Sequence, residues 1–335
     1  MELLPEKINP LIVGNGLPPD PAVDPDALIS VVIPLKDEEG TLRELYGSIK
    51  NVFRKLGRDF EVVFVDDGSR DKSFDILKDL HREHVDSVKV IKFRMNKGKA
   101  AALNAGFDEA KGDIIFTLDA DLQDDPEEIP KFLDALAKGA DLVSGWKKVR
   151  HDPLHKVLFS RFFNWVVSRA AGLKLHDYNC GFKAYRKEVL EEIHLYGELH
   201  RYIPFLAKHR GFIVDEVVVQ HRPRTRGKSK YGFSRVFKGF FDLFTVIMLT
   251  RFNRRPLHLF GGMGVILFVI GLLINMVLTW QWLHHQAIGD RPLLILGVLL
   301  MVVGVQIFNI GLVGEMIIAL KPSDKSDKPI KIILK

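Results

Sequence analysis

From Leu28 onward, short apolar runs alternate with stretches in which apolar residues recur every three or four positions. LISVVIPL (Leu28–Leu35) reads as a buried strand. After Gly40, the residues Leu42, Leu45, Ile49, Val52, Phe53 and Leu56 share one helical face. FEVVFV (Phe60–Val65) is a second strand, stopped by Asp66-Asp67-Gly68-Ser69. Asp71 is placed to cap a helix with Ile76, Leu77 and Leu80 inside. VKVIKF (Val88–Phe93) is a third strand, and Lys99–Ala110 has helical character. DIIFTL (Asp113–Leu118) is a fourth strand and runs into DADLQDDPEE. Pro126 suits the first turn of the next helix, whose apolar face is Ile129, Phe132, Leu133 and Leu136. DLVSG (Asp141–Gly145) is a fifth strand. Strands alternating with helices predict an α/β fold with a doubly wound, mostly parallel sheet covered on both faces. Ligands of such sheets sit outside the carboxyl ends of the strands, where the acidic clusters of this chain fall.

The pattern changes near the C-terminus. Leu257–Trp282 and Pro292–Gly314 contain no Asp, Glu, Lys or Arg. A bilayer core needs about 20 apolar residues as helix, and both runs meet that. Runs of this length fit two buried helices of a soluble core poorly. The link Leu283–Arg291 makes them a hairpin. Arg251, Arg254 and Arg255 lie before it and Lys321, Lys325 and Lys328 after it. The positive-inside rule then puts both flanks, both termini and everything before Arg251 in the cytoplasm, with Trp280 and Trp282 at the opposite interface. The expected location is the cell inner membrane or plasma membrane, multi-pass. The N-terminus lacks a basic start and an apolar signal core, so no secretory signal is expected.

Charge sharpens this picture. The formal net charge of the 335 residues is +6, but Gln220–Pro256 alone holds ten Lys and Arg against Asp242, leaving −3 elsewhere. A basic character confined to one segment argues against a nucleic-acid surface, and aromatics are not interleaved with its charges. The single cysteine, Cys180, excludes an intrachain disulfide and a paired-cysteine metal site. Six of the sixteen prolines fall in the first 27 residues, which read as an extended arm.

Three clusters carry candidate chemistry. Asp66-Asp67-Gly68-Ser69 follows the second strand; turns of this composition are common, so alone it is ambiguous. Asp119-Ala120-Asp121-Leu122-Gln123 follows the fourth. If the chain is extended there, carboxylates at i and i+2 point the same way and can meet one hard cation, Mg2+ or Mn2+, that also takes substrate phosphates. His221-Arg222-Pro223-Arg224-Thr225-Arg226-Gly227-Lys228-Ser229-Lys230-Tyr231 reads either as a juxtamembrane patch for anionic lipid or as a clamp for a specific phosphate.

VVIPLKDEEG, VVFVDDGS, TLDADLQDDPEEI, NCGFKAYRK and HRPRTRGKSKYG occur in that order and resemble the family 2 glycosyltransferases of the GT-A fold. More narrowly they resemble polyprenyl-phosphate glycosyltransferases, namely dolichol-phosphate mannose synthase and the GtrB-type bactoprenol glucosyltransferases. The likeness covers roughly residues 28–250, and the two apolar spans match the GtrB type. It implies donor contacts from Pro34, Lys36 and Glu38, from Val65, Asp66 and Asp67, from Ala120, and from Lys147 or Lys148 on the far side of the donor phosphates. The family often carries an aromatic where Lys36 stands. It implies metal ligation by Asp121 and Gln123, with Asp119 beside the reacting sugar, so that Asp119 and Asp121 are the catalytic pair. It implies acceptor contacts from Asn179, Gly181 and Phe182, and phosphate contacts from Arg224 and Lys230.

The implied activity is inverting, metal-dependent transfer of one hexose from a nucleotide sugar to polyprenyl phosphate, with UDP-glucose the first choice and GDP-mannose the second. A phosphate monoester is largely a dianion at pH 7, so the nucleophile needs no strong base. What it needs is a metal and cations that let two phosphates approach. A Rossmann dehydrogenase would need GxGxxG after the first strand, where PLKDEEG stands. A haloacid-dehalogenase-like phosphatase would need Thr or Val at Gln123, and a processive synthase a QxxRW motif and more spans. A non-enzymatic membrane scaffold would not require the acidic clusters. The expected layout is an extended arm (residues 1–27), a cytoplasmic GT-A domain (28–232), amphipathic juxtamembrane helices (233–255), a transmembrane hairpin (256–320) and a cytoplasmic tail (321–335). PIKIILK (Pro329–Lys335) alternates like a strand and could join a sheet edge. With the glycines of the spans it leads to an expected homo-oligomer; a lipid-sugar flippase and a downstream transferase are further expected partners.

Overall fold

The computed structural model describes residues 27–148, 175–193, 195, 199–220, 222, 255–284 and 292–320. Most of the expected N-terminal arm and of the 233–255 segment, and all of the 321–335 tail, lie outside them.

Strands β1 (Ile29–Leu35), β2 (Phe60–Asp66), β3 (Val88–Lys92) and β4 (Ile114–Thr117) are parallel, in the order β3-β2-β1-β4. Helices α1 (Leu42–Leu56), α2 (Ser73–Glu83) and α3 (Lys99–Glu109) connect them. The sheet is buried on both faces because successive residues feed different cores. Ile29, Val31, Ile33, Val62 and Phe64 pack beneath α1, α2 and α4 (Ile129–Ala137), whereas Val32, Val63 and Val65 pack beneath α3. Helix α3 lies unusually close to the sheet. A Cβ on Gly106 would come within 2.3 Å of Val32 Cγ1, so glycine is what permits the approach.

The second half of the sheet departs from simple alternation. β5 (Leu142–Lys147) does not pair with β4. A short strand, β6 (Lys183–Arg186), runs antiparallel between them, and β7 (Val214–Val219) adds parallel to β5 at the edge. The order is β3-β2-β1-β4-β6-β5-β7, a mixed and mostly parallel sheet. Helices α5 (Lys187–Glu192) and α6 (Ile203–Arg210) follow β6 and cover the α3 side through Val189, Ile203 and Ala207. The aromatic rings of Phe116, Phe132 and Phe182 lock β4, α4 and the start of β6 together, with Phe132 and Phe182 stacked at 4.4 Å.

Helices α7 (Pro256–Leu283) and α8 (Pro292–Leu320) form the hairpin. Both are long and apolar enough to cross a membrane. Twenty-eight residues reach about 42 Å, a full bilayer with its headgroup layers. Glycines set the helix contact. A Cβ on Gly264 would sit 2.5 Å from Gly304 O, one on Gly304 2.7 Å from Gly264 O, and one on Gly271 2.5 Å from Gly297 O. The glycines Gly261, Gly264, Gly304 and Gly311 are thus occupied within the hairpin, while Gly262 has nothing within 4 Å. At the hairpin's open end Glu315 accepts from Leu257 N at 3.3 Å, satisfying one of the free N–H groups that begin α7.

Candidate active site

The carboxyl ends of β1, β2 and β4 lie side by side, Leu35 opposite Asp66 and Val32 opposite Thr117. The loops after β1 and β2 are cross-linked. Asp37 N donates to Ser69 Oγ at 2.9 Å and Arg70 N to Asp37 at 2.8 Å; Glu38 N donates to Ser73 Oγ and Lys72 N to Glu39, both at 2.9 Å. Asp71 caps α2 through Ser73 N at 3.0 Å, from one residue before the formal cap position. Beside these loops is a cavity of about 520 Å³ lined by Lys36, Gly68, Ser69, Arg70, Lys92, Phe93, Arg94, Met95 and Asn96.

The two aspartates that end β2 have different tasks. Asp67 receives Lys97 N at 2.6 Å and Gly98 N at 3.0 Å, which fixes the loop leading into α3. Asp66 is fully buried; one oxygen accepts from Ser69 N at 2.8 Å and Oδ2 has no hydrogen-bond partner among the described residues. A buried carboxylate oxygen without a hydrogen-bond partner is costly. Lys36 lines the cavity, and Pro34 and Glu38 are half-buried next to it. Val65 is different: its side chain lies in the core and would touch a Cβ placed on Gly106.

After β4 the chain is not extended as the sequence reading expects. Residues 120–122 form a turn, with Leu122 at φ 60°, so Asp119 and Asp121 do not point alike along an extended chain. Asp119 pairs with Lys99 at the start of α3. Burial alone would raise the Asp119 carboxyl, but the Lys99 charge and hydrogen bond outweigh it and hold Asp119 ionised, well below the usual carboxylate range. Asp121 accepts from Gln123 N at 3.2 Å, so both belong to one tight loop. Ala120 packs into the core.

Lys147, at the end of β5, has its ammonium 2.7 Å from the buried Asp124. Burial would lower its pKa, but the Asp124 charge raises it, and the lysine stays protonated. Asn179 is exposed. Phe182 is fully buried in the aromatic stack and offers no ring to a ligand. Gly181 lies against Asp119, and its carbonyl accepts from Thr117 Oγ1 at 2.8 Å. Arg224 and Lys230 lie outside the described residues.

Several groups here were not singled out from the sequence. Lys99 partners Asp119. His200 is buried, and burial together with the Lys99 charge holds it neutral. Lys183 is buried on β6 and donates to Cys180 O. Asp124 and Asp125 anchor the loop that carries Asp121. The available signal was Gly98-Lys99 opening α3 after the loop that follows β3.

The donor set suits a hard cation. Asp121 and Gln123 offer carboxylate and amide oxygens, and no group of three or more His, Cys, Asp or Glu is placed to hold a metal among the described residues. A Mg2+ or Mn2+ bound here would complete its shell with phosphate and water oxygens, as such ions do in phosphate sites.

The model for glycosyl transferase family 2 matches residues 30–194, and that for the GtrB C-terminal hairpin matches residues 255–320. The chain is 36% identical to a dodecaprenyl-phosphate galacturonate synthase of Rhizobium johnstonii, over 86% of this chain and 87% of that protein. It is 37% identical to an undecaprenyl-phosphate 4-deoxy-4-formamido-L-arabinose transferase of Pseudomonas paraeruginosa, over 87% and 85%. This chain is a polyprenyl-phosphate glycosyltransferase of family 2. Its GT-A sheet is also that of glucosyl-3-phosphoglycerate synthase from Mycobacterium tuberculosis, solved with Mn2+, UDP and phosphoglyceric acid. That likeness has a TM-score of 0.51 at 17% identity, covers 66% of this chain and 78% of the other, and concerns the fold alone. Asp66 and Asp119 stand at the carboxyl ends of β2 and β4, the two strands that flank β1 in this sheet, with the Asp121–Gln123 loop following directly.

Proposed function

We propose that this glycosyltransferase moves one sugar from a nucleoside diphosphate sugar to polyprenyl phosphate at the cytoplasmic membrane face, with inversion and with Mg2+ or Mn2+. The observation that carries the reading is the convergence, at one sheet edge, of Asp66, Asp119 and the Asp121–Gln123 loop in a chain that continues into a two-helix hairpin. Pro34, Lys36, Glu38 and Asp66 hold the nucleoside side, while Asp67 supports it by fixing the loop into α3. Asp121 and Gln123 would hold the metal, which would supply charge neutralisation for the leaving diphosphate. Asp119, kept ionised by Lys99, faces the positive charge that develops on the sugar. A phosphate oxygen of the lipid attacks the anomeric carbon as the bond to the nucleoside diphosphate breaks and its electron pair leaves with that group. Arg224 and Lys230 neutralise the incoming phosphate, and Asn179 and Gly181 line its approach.

UDP-glucose is the donor favoured by the likeness to the GtrB type, with GDP-mannose the second reading; the relatives add galacturonate and 4-deoxy-4-formamido-L-arabinose to the sugars to be tried. The layout proposed is a cytoplasmic catalytic domain (28–232) and juxtamembrane helices (233–255) on a hairpin with both termini cytoplasmic. Homo-oligomer formation rests on the 321–335 tail, because most glycines of the spans are used inside the hairpin. The test is incubation of purified protein and polyprenyl phosphate with a panel of UDP- and GDP-sugars, followed by mass and anomeric-proton NMR analysis of the lipid. An α-linked donor that yields α-linked product argues against single displacement.

A further inference from the structure

The loop that carries the metal donors is pinned at three consecutive residues. Gln123 O accepts from Arg222 N at 3.0 Å. Asp124, 2% exposed, takes the Lys147 ammonium at 2.7 Å. Asp125, 7% exposed, takes the Arg222 guanidinium on Oδ2, and its Oδ1 accepts from Glu127 N at 3.2 Å to cap the turn Pro126–Glu128. Arg222 therefore grips the loop twice, by backbone at Gln123 and by side chain at Asp125. It stands three residues beyond the end of β7, and β7 pairs with the same strand, β5, that ends in Lys147.

The grip has a conformation to hold. Leu122 sits between the metal donors Asp121 and Gln123 at φ 60°. A left-handed conformation is unfavourable for a residue with a Cβ and persists where its surroundings impose it. Asp121 accepts from Gln123 N, so the direction of its carboxylate depends on the backbone that Arg222 holds. Exposed ion pairs contribute little. Here the arginine is half-exposed, but the Asp125 carboxylate is nearly buried, and removing its partner leaves a buried charge unpaired.

We infer that Arg222 is a positioning residue for the metal loop: through Asp125 and Gln123 O it fixes the Leu122–Gln123 backbone so that Asp121 and Gln123 present their oxygens to one divalent cation. Arg222 acts through the loop, by its contacts with Gln123 O and the Asp125 carboxylate. The inference rests on the metal reading of Asp121 and Gln123.

The test uses the full chain in detergent and reads metal binding without any acceptor lipid. Free Mn2+ is followed by electron paramagnetic resonance, with Mn2+ alone and with UDP or GDP added. Removing partners outside the metal shell lowers metal affinity roughly 10- to 100-fold; about tenfold is expected for Arg222→Met and for Asp125→Asn, which keeps the capping oxygen. The double variant binds no more weakly than either single one, because both remove the same contact. Arg222→Lys falls between, keeping the charge without the planar fork. Lower melting temperatures with unchanged Mn2+ affinity in both single variants would overturn the positioning role and leave the ion pair merely structural. A wild type that binds no Mn2+ with or without nucleotide overturns the metal reading and this inference together, whereas wild-type binding with unaltered variants overturns this inference alone.

Discussion

Gly181→Ala isolates the geometry around Asp119. The new Cβ would lie 2.6 Å from Asp119 Oδ2, 2.8 Å from Cγ and 3.0 Å from Oδ1. Carbon–oxygen contacts settle at about 3.3 Å or more, so roughly 0.7 Å of movement is required. Neither side yields freely. Asp119 is held by Lys99, and the Gly181 carbonyl is held by Thr117 Oγ1 at 2.8 Å. Overpacking of this kind costs about 1–3 kcal/mol, a fall in melting temperature of roughly 2–10 °C for a domain of this size. The functional cost is larger, because misplacing a reacting group by on the order of 1 Å lowers turnover by about 100-fold. The assay is transfer of radiolabelled sugar to polyprenyl phosphate in detergent below the melting temperature of the variant, with nucleotide binding measured in parallel. The expected result is turnover reduced 30- to 100-fold, roughly, with nucleotide affinity within a few-fold of wild type. A Gly181→Ala enzyme retaining more than about a third of wild-type turnover would refute the placement of Asp119 at the reacting centre.

Burial raises the Asp119 carboxyl, but the Lys99 charge and hydrogen bond together with the Lys147 charge bring it down to about 2. The pair's contribution to stability is full above the unfolded value of about 4 and is lost as pH falls through the folded one. The melting-temperature gap between wild type and Lys99→Met therefore narrows below pH ~4; a gap constant from neutral to strongly acidic pH counts against the pairing. Burial pushes the Cys180 thiol up to about 12, so the folded protein resists alkylation near pH 8 and reacts on unfolding; rapid labelling of the native chain contradicts its placement. In the hairpin, Gly264→Val meets the Gly304 carbonyl and lowers thermal stability in detergent, whereas Gly262→Val, with open space around it, does not; equal losses refute the intrachain packing. Asp121→Ala and Gln123→Ala weaken Mn2+-dependent nucleotide binding measured calorimetrically, and unchanged affinity in both removes them as ligands.

The parts of the fold legible in the sequence are those with long apolar signals. β1, β2 and the amphipathic face of α1 are continuous or strictly periodic, and both spans are free of charge. β6 was illegible because it is four residues, KAYR, with a buried lysine at its start, and strands so short carry no period. Its insertion between β4 and β5 is a long-range pairing that local pattern does not encode. β7 hides for another reason: VDEVVV is an edge strand whose exposed Asp215 and half-buried Glu216 interrupt its valines. At the site, the acidic clusters stood out because carboxylates concentrate at strand ends, but their division of labour did not. Asp66 and Asp67 are adjacent and alike in sequence, yet Asp67 is consumed by Lys97 and Gly98 amides while Asp66 keeps an open oxygen. Phe182 and Ala120 sat within the right motifs and turned out to support them from the core. Lys99, Asp124 and Arg222 find their partners 20 to 97 residues away, distances at which charge pattern carries no pairing information.

The central claim is transfer between two phosphates, and the direct measurement counts both products. Purified protein is given polyprenyl phosphate, Mn2+ and the sugar nucleotide it accepts, and released nucleoside diphosphate and lipid-linked sugar are quantified in the same sample. The account predicts a one-to-one ratio that is abolished by EDTA and by Asp121→Ala, with a lipid product heavier by a single sugar residue. Nucleoside diphosphate released without lipid-linked sugar, a lipid carrying several sugars, or undiminished transfer in EDTA by the Asp121→Ala enzyme would contradict it.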